Sequence, residues 1–104
     1  MFEHGDFDQT VLKVIQWAMD RNLISGSTPK DQFCKLIQEV GELSDNICKD
    51  DVLKIEDDIG DIMVVLIIIA EQYQLDMTHC LNVAYNDIKD RKGTMKDGIF
   101  IKEG

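Results

Sequence analysis

Glu39 and Glu42 stand three residues apart in the stretch KLIQEVGELSDNI, and Asp58 and Asp61 repeat that spacing in EDDIGDIMVVLIIIAEQY. On one helix, residues three apart are neighbours, with about 5–6 Å between Cβ atoms. Each pair lies at the border of an apolar run, where solvent screens repulsion less than on an open face. Two carboxylates held there repel each other unless a cation lies between them. Mg²⁺ fits that need: it prefers oxygen ligands and takes one or two carboxylates per ion, with waters and substrate phosphates completing its octahedron. If the two helices pack antiparallel, Glu39, Glu42, Asp58 and Asp61 face one another and suit about one to three such ions. The competing reading is a solvated face of an acidic protein. Recurrence of the spacing on two consecutive helices, at the core border both times, favours the metal site.

The bulk composition limits the partners. The 104 residues carry 11 Lys+Arg against 20 Asp+Glu, a formal charge of −9. A general nucleic-acid binder needs basic residues to meet phosphates, so that class is disfavoured. A small phosphorylated ligand is not, because a bound divalent cation reverses the local charge. Cys34, Cys48 and Cys80 lack metal-site spacing, and their odd number suggests reduced thiols in a cytoplasmic protein. The N-terminal MFEHGDFDQT is acidic and has no apolar core, so no signal peptide is expected. The apolar run from Ile62 to Ala70 is too short for a bilayer span, which needs roughly 20 residues.

The elements that must position these carboxylates read as four helices and a tail, within one domain over residues 1–104. The first helix is expected over about Asp8 to Arg21, with Val11, Leu12, Val14, Ile15 and Ala18 inward. The second starts with Thr28 as N-cap, Pro29 at the first helical position and Asp31 in the first turn. Phe33, Leu36, Ile37, Val40, Leu43 and Ile47 form its expected buried face. Lys35, Glu39, Glu42 and Asn46 form a polar stripe beside it, with Asp45 further towards solvent. The third begins near Asp51, with Ile55, Ile59, Ile62, Leu66, Ile69 and Tyr73 alternating by four and three as a packing seam. A second stripe, Asp58, Asp61, Val65, Ile68 and Gln72, turns from acidic to apolar halfway. From Ile62 onward the helix is apolar all round, which predicts a second subunit over one face. The fourth starts near Asp76 or Thr78, carries Met77, Leu81, Ala84 and Ile88 inward and stops at Gly93. In the tail MKDGIFIKEG, Asp97-Gly98 signals a turn, hence a small hairpin or an arm across a partner.

Other residues carry chemistry of a more general kind. Asn82, Asn86 and Lys89 share one stripe of the fourth helix, Tyr85 lies four before Lys89, and Arg91 and Lys92 follow. In so acidic a chain these cations suit phosphate, although cations at a helix C-terminus are favourable in themselves. Lys35 is either a phosphate contact or an i, i+4 partner of Glu39. Trp17 is either core or a platform for a base. His4 and His79 read as surface residues. Gly41 and Gly60, costly inside helices, are expected where helices approach closely.

QEVGEL followed by EDDIGDIMVVL resembles the paired motif of the MazG-type nucleotide pyrophosphohydrolases, the all-α nucleoside triphosphate pyrophosphatases. That pattern is E-x-x-E on one helix and E-x-x-D on the next, before an apolar run. Here Glu39-Val40-Gly41-Glu42 supplies the first half and Asp58-Ile59-Gly60-Asp61 the second. The likeness runs from about Trp17 to about Lys92. The departure is Asp58, where the family usually has Glu; the shorter carboxylate implies a shifted ion or an intervening water. The resemblance implies an all-α, four-helix bundle-like subunit, and the all-round apolar run from Ile62 to Ala70 predicts its packing as a dimer or tetramer. It also implies Mg²⁺-dependent hydrolysis of a nucleoside triphosphate between the α and β phosphates, with Mn²⁺ as a substitute. The ions would neutralise phosphate oxygens and acidify the attacking water, and a spare carboxylate would take its proton. Glu39, which opens the motif, is the candidate base, with direct ligation as its other role. By the same resemblance Asn86 and Lys89 face the nucleotide, with Lys35, Arg91 and Trp17 as further candidate contacts. Two alternatives stand beside this one: a non-enzymatic oligomeric helical interaction module, and phosphoribosyl-ATP pyrophosphohydrolase within the same superfamily.

Overall fold

The computed structural model describes residues 5–103 and contains four helices and a C-terminal hairpin. Helix α1 covers Phe7–Asp20, α2 Pro29–Cys48, α3 Val52–Gln72 and α4 Met77–Ile88; strands β1 (Gly93–Lys96) and β2 (Ile99–Lys102) follow. His4 lies outside the described residues.

Each helix starts where a side chain can satisfy its first amide groups. Asp6 accepts from the Asp8 and Gln9 amides, and Asp76 from those of Thr78 and His79. Thr28 and Asp31 form a reciprocal capping box ahead of α2. The Thr28 backbone and hydroxyl groups hold the Asp31 carboxyl below the usual range. Asp51 caps α3. Three helices end alike: Asn22, Asp50 and Gln74 adopt φ of 57°, 53° and 59°. Behind each, the next amide reaches back to close the turn, from Leu23 to Ala18, Asp51 to Asn46 and Leu75 to Ala70. This is the Schellman arrangement, built without glycine. Helix α4 ends at Ile88, short of the expected stop at Gly93.

Helices α2 and α3 form an antiparallel hairpin that packs along its length, and α1 crosses α3 on another face. Helix α4 packs sparsely against α3 and buries no residue. Thr78 of α4 donates to the carboxylate of Asp8 at the start of α1. The hairpin pairs Met95 with Phe100 and Lys96 with Ile99, and Asp97 and Gly98 both take positive φ, as a type I′ turn requires. The described residues contain no helix long and apolar enough to cross a membrane.

The core consists of Val11 and Ala18 from α1 with Val65, Ile67, Ile68 and Ala70 from α3. Helix α2 contributes no fully buried apolar residue. Its apolar arc does not face α3: Phe33, Ile37, Val40 and Ile47 are exposed, and Leu36 and Leu43 are half-buried. The buried residues of α2 are Gln32 and Glu39. The same correction applies to α3. The stripe against α2 is Asp58, Val65, Ile68 and Gln72, whereas Ile59, Leu66 and Tyr73 of the expected seam face solvent. On α4, Leu81, Ala84 and Ile88 point outward, and Leu12 of α1 does too. The physical reason is common to all: an apolar stripe marks a surface that avoids water, without saying whether its own chain covers it.

The open arrangement shows in the dimensions. The radius of gyration is 16.2 Å, against about 13 Å for a compact domain of this length.

Candidate active site at the α2–α3 seam

At the seam two carboxylates are inside the protein. Glu39 of α2 is 6% exposed and Asp58 of α3 is 5% exposed. Asn46 of α2 donates from Nδ2 to Oδ2 of Asp58 at 2.7 Å. Lys35, one turn before Glu39, places its Nζ 3.1 Å from Glu39 Oε1. The other oxygen, Glu39 Oε2, is buried and has no partner. An uncompensated buried carboxylate oxygen is costly and calls for a cation or a donor.

Glu42 and Asp61 complete the set. The charge of Glu39 raises the Glu42 pKa above the usual range, with Asp58 adding to it and Lys35 opposing it. Burial raises Asp61, and the charges of Asp57, Glu39 and Asp58 add to that. Glu42 and Asp61 therefore both lie in the field of Glu39 and Asp58, and Lys35 opposes the rise of each. Among the described residues, no three His, Cys, Asp or Glu side chains converge tightly enough to cage an ion alone. Mg²⁺ does not need such a cage, since one or two carboxylates with waters and phosphates suffice. The buried, unpartnered Oε2 of Glu39 and the mutual repulsion of its neighbours fit a divalent cation.

Asp61 also lines the groove where α1 crosses α3. Thr10, Lys13, Val14 and Trp17 of α1 face Asp61 and Val64 there. The adjoining hollow, lined by Phe7, Val11, Leu53, Asp57 and Gly60 among others, has a volume of about 720 Å³. That lies within the range of about 300–1,000 Å³ typical of small-molecule sites. Trp17 is 44% exposed, so it is not core. The Arg21 guanidinium covers it at 4.7 Å from the ring centroid.

The candidate contacts on α4 lie apart from this cluster. Asn86, Lys89 and Arg91 are exposed, and none of their charges acts on Glu42 or Asp61. Arg91 instead pairs with Asp87 at 3.0 Å. Gly41 and Gly60 are open, with nothing within 4 Å of an added Cβ, so close helix approach does not explain them. His79 is exposed, as its lack of partners suggests. Two contributors carried no functional assignment in the sequence. Asn46 lies on the Lys35–Glu39–Glu42 stripe, and that spacing was the signal for it. Asp57, which presses on Asp61, precedes the motif and has no such signal.

The profile of the MazG nucleotide pyrophosphohydrolase domain matches residues 27–95, which contain both carboxylate pairs. A curated protein from Haemophilus phage HP1 (strain HP1c1), described as an uncharacterized 18.2 kDa protein in the rep-hol intergenic region, is 45% identical over 72 residues. The alignment covers 69% of this chain and 44% of the phage protein, so the chain spans under half the length of that relative. No solved structure matches.

Proposed function

The chain belongs to the MazG nucleotide pyrophosphohydrolase family, and from that membership we propose that it hydrolyses a nucleoside triphosphate at the α–β phosphate bond, releasing the nucleoside monophosphate and pyrophosphate. The observation that carries this reading is the buried, unpartnered Oε2 of Glu39 among three further carboxylates. Glu39, Glu42, Asp58 and Asp61 would hold Mg²⁺, with Mn²⁺ as a substitute. A bound divalent ion supplies charge neutralisation of phosphate oxygens and a more acidic attacking water.

The chain's own residues do the rest. Asn46 fixes the Asp58 carboxylate and leaves its second oxygen for ligation. Before substrate binds, Lys35 holds one oxygen of Glu39; with substrate in place Glu39 accepts the proton of the attacking water. When substrate enters, Lys35 turns to a phosphate oxygen. Trp17 receives the base in the α1–α3 groove after Arg21 moves off its ring. Asn86, Lys89 and Arg91 do not reach the cluster of their own chain; they serve the nucleotide only from a neighbouring copy, in keeping with a homo-oligomer.

A nucleotide panel with Mg²⁺, followed by pyrophosphate release, tests the reading. Metal-dependent pyrophosphate with a matching monophosphate is expected. No release from any nucleotide would leave the interaction-module reading standing, and release from phosphoribosyl-ATP alone would select the histidine-pathway enzyme.

A further inference from the structure

Gln72, at the end of α3, grips the segment that joins α1 to α2. Its amide nitrogen donates to the Ile24 carbonyl at 3.3 Å, the Ser27 carbonyl at 3.0 Å and Ser27 Oγ at 3.1 Å. Gln32 of α2, 9% exposed, donates to the same hydroxyl at 2.9 Å. Ser27 Oγ in turn donates to the Leu23 carbonyl at 2.6 Å. The hydroxyl hydrogen and both lone pairs are therefore engaged. Chemistry fixes the orientation of the Gln72 amide: the two carbonyls only accept, so the nitrogen must face them. Its oxygen is buried without a partner. Gln72 acts here purely as a donor, and a buried unpaired oxygen of this kind calls for a reason.

The gripped segment is a stiff continuation of α1. The Arg21 and Leu23 amides return to the Ala18 carbonyl, that of Asn22 to Met19 and that of Gly26 to Asn22. A Cβ added to Gly26 would lie 2.3 Å from the Asn22 carbonyl oxygen, so the turn is closely packed. Arg21 also donates from its guanidinium to the Trp17 carbonyl. At its other end α1 is tied through Asp8 to Thr78. Between these ties the buried residues of α1 are Val11 and Ala18. So small an apolar contact leaves the polar ties a large share in placing the helix. Trp17, one turn before Arg21, faces Asp61 across the α1–α3 groove.

We propose that Gln72 is a positioning residue for the nucleotide groove: by gripping Ile24 and Ser27 it fixes the end of α1, and with it Trp17 opposite Asp61. Gln72 does not line the groove itself, so it acts through α1. It also stands about 21 Å along α3 from Asp58, where the separate bond from Asn46 orients the carboxylate. Loosening the grip should therefore disturb the groove and spare the metal half of the site. The kinetic effect presupposes that Trp17 receives the base, as proposed above; the placement of Trp17 does not.

Trp17 is the sole tryptophan of the chain, so its fluorescence reports on α1 without any substrate. Acrylamide quenching of the full chain is the first measurement, on the wild type, Gln72→Met and Gln72→Lys. Methionine keeps the length and removes the donors; lysine brings donors back and carries no acceptor. Quenching should rise in Gln72→Met and return most of the way in Gln72→Lys. With a nucleotide that the wild type hydrolyses, Gln72→Met should raise KM about fivefold to tenfold, because the correctly placed groove is populated for a smaller fraction of the time. Its kcat and Mg²⁺ affinity should match the wild type, and Gln72→Lys should recover most of the KM. Ser27→Ala, which removes the hydroxyl that Gln72 and Gln32 share, covers the case in which Gln72→Met fails to fold; it should move quenching and KM in the same direction. Quenching that stays at the wild-type value in the folded variant would overturn the placement of Trp17 by Gln72. A lowered melting temperature with KM unchanged would make Gln72 a structural residue and overturn its positioning role. A wild type that hydrolyses no nucleotide would overturn the base site, and the quenching would still decide whether Gln72 places Trp17.

Discussion

Asn46 reaches across the α2–α3 seam and donates a 2.7 Å hydrogen bond to Oδ2 of Asp58. The bond takes one oxygen of a buried carboxylate and leaves the other free, which fixes the direction in which Asp58 can ligate. Asp58 is shorter by one methylene than the glutamate usual in this family, and Asn46 is what anchors the short side chain. Partners that orient a metal ligand are worth 10–100-fold in metal affinity or activity. Asn46→Leu is therefore expected to weaken Mg²⁺ binding about 10–100-fold by calorimetric titration. Asp58→Ala should lose activity. Asp58→Glu should keep or raise it but lower stability by about 1–3 kcal/mol, because a methylene is added to a filled seam. Equal activity of Asp58→Ala and wild type would make Asp58 a bystander.

Glu42 and Asp61 are each held against the charges of Glu39 and Asp58, so substitution should move stability and activity in opposite directions. Glu42→Gln and Asp61→Asn should each raise the melting temperature in chelator at neutral pH. Each should also weaken Mg²⁺ binding and lower the rate by roughly 10²-fold, since metal catalysis is worth several kcal/mol. Unchanged metal affinity in both variants would remove the pair from the metal site.

The helices were legible because their ends carry local chemistry: Thr28, Pro29 and Asp31 announce α2, and Asp76 announces α4. The hairpin was legible from Asp97-Gly98. The faces were not. Phe33, Ile37 and Val40 give the same periodic signal whether a helix of their own chain or a second copy covers them. The carboxylate pairs were found from spacing, but not the burial of Glu39, which follows from α2 turning its polar stripe towards α3. The chain-reversing residues Asn22, Asp50 and Gln74 went unread because none is glycine.

Raised carboxylate pKa values give a definite sign to the pH dependence. Glu42 and Asp61 are raised in the fold, so the native state binds more protons than the unfolded chain just above the usual carboxylate range. Stability contributed by these groups is present at low pH and falls as pH rises through that range. Added Mg²⁺ should cancel the loss. The melting temperature should therefore rise more with Mg²⁺ at pH 7 than at pH 4, as thermal scans with and without chelator will show. An equal rise at both values would detach the cation from these carboxylates.

Gln74 closes α3 at φ 59°, a left-handed conformation that costs a side-chain-bearing residue roughly 1–2 kcal/mol and glycine almost nothing. Gln74→Gly should stabilise the protein by about 0.5–1 kcal/mol, after allowance for the greater freedom of glycine in the unfolded chain. Denaturant unfolding gives the value, and a loss of stability would mean that Gln74 holds a contact beyond its own turn.

Lys35 is the residue on which the two readings of the site divide. It pairs with Glu39 at 3.1 Å while remaining 55% exposed, so its ammonium is free to swing outward. If it only neutralises Glu39, its loss acts through the carboxylates: Glu42 and Asp61 would titrate higher still, because Lys35 opposes both shifts. The pH–rate profile would then move to higher pH with KM unchanged. If Lys35 passes to a phosphate oxygen when substrate binds, a charge-assisted hydrogen bond of about 1.5–3 kcal/mol is lost in the variant. On that account Lys35→Met raises KM roughly tenfold or more, and Lys35→Arg recovers most of the loss. We expect the KM effect, since a buried Glu39 with bound cations beside it no longer needs the ammonium. A pure shift of the profile, with KM untouched, would return Lys35 to its place as a partner of Glu39 alone.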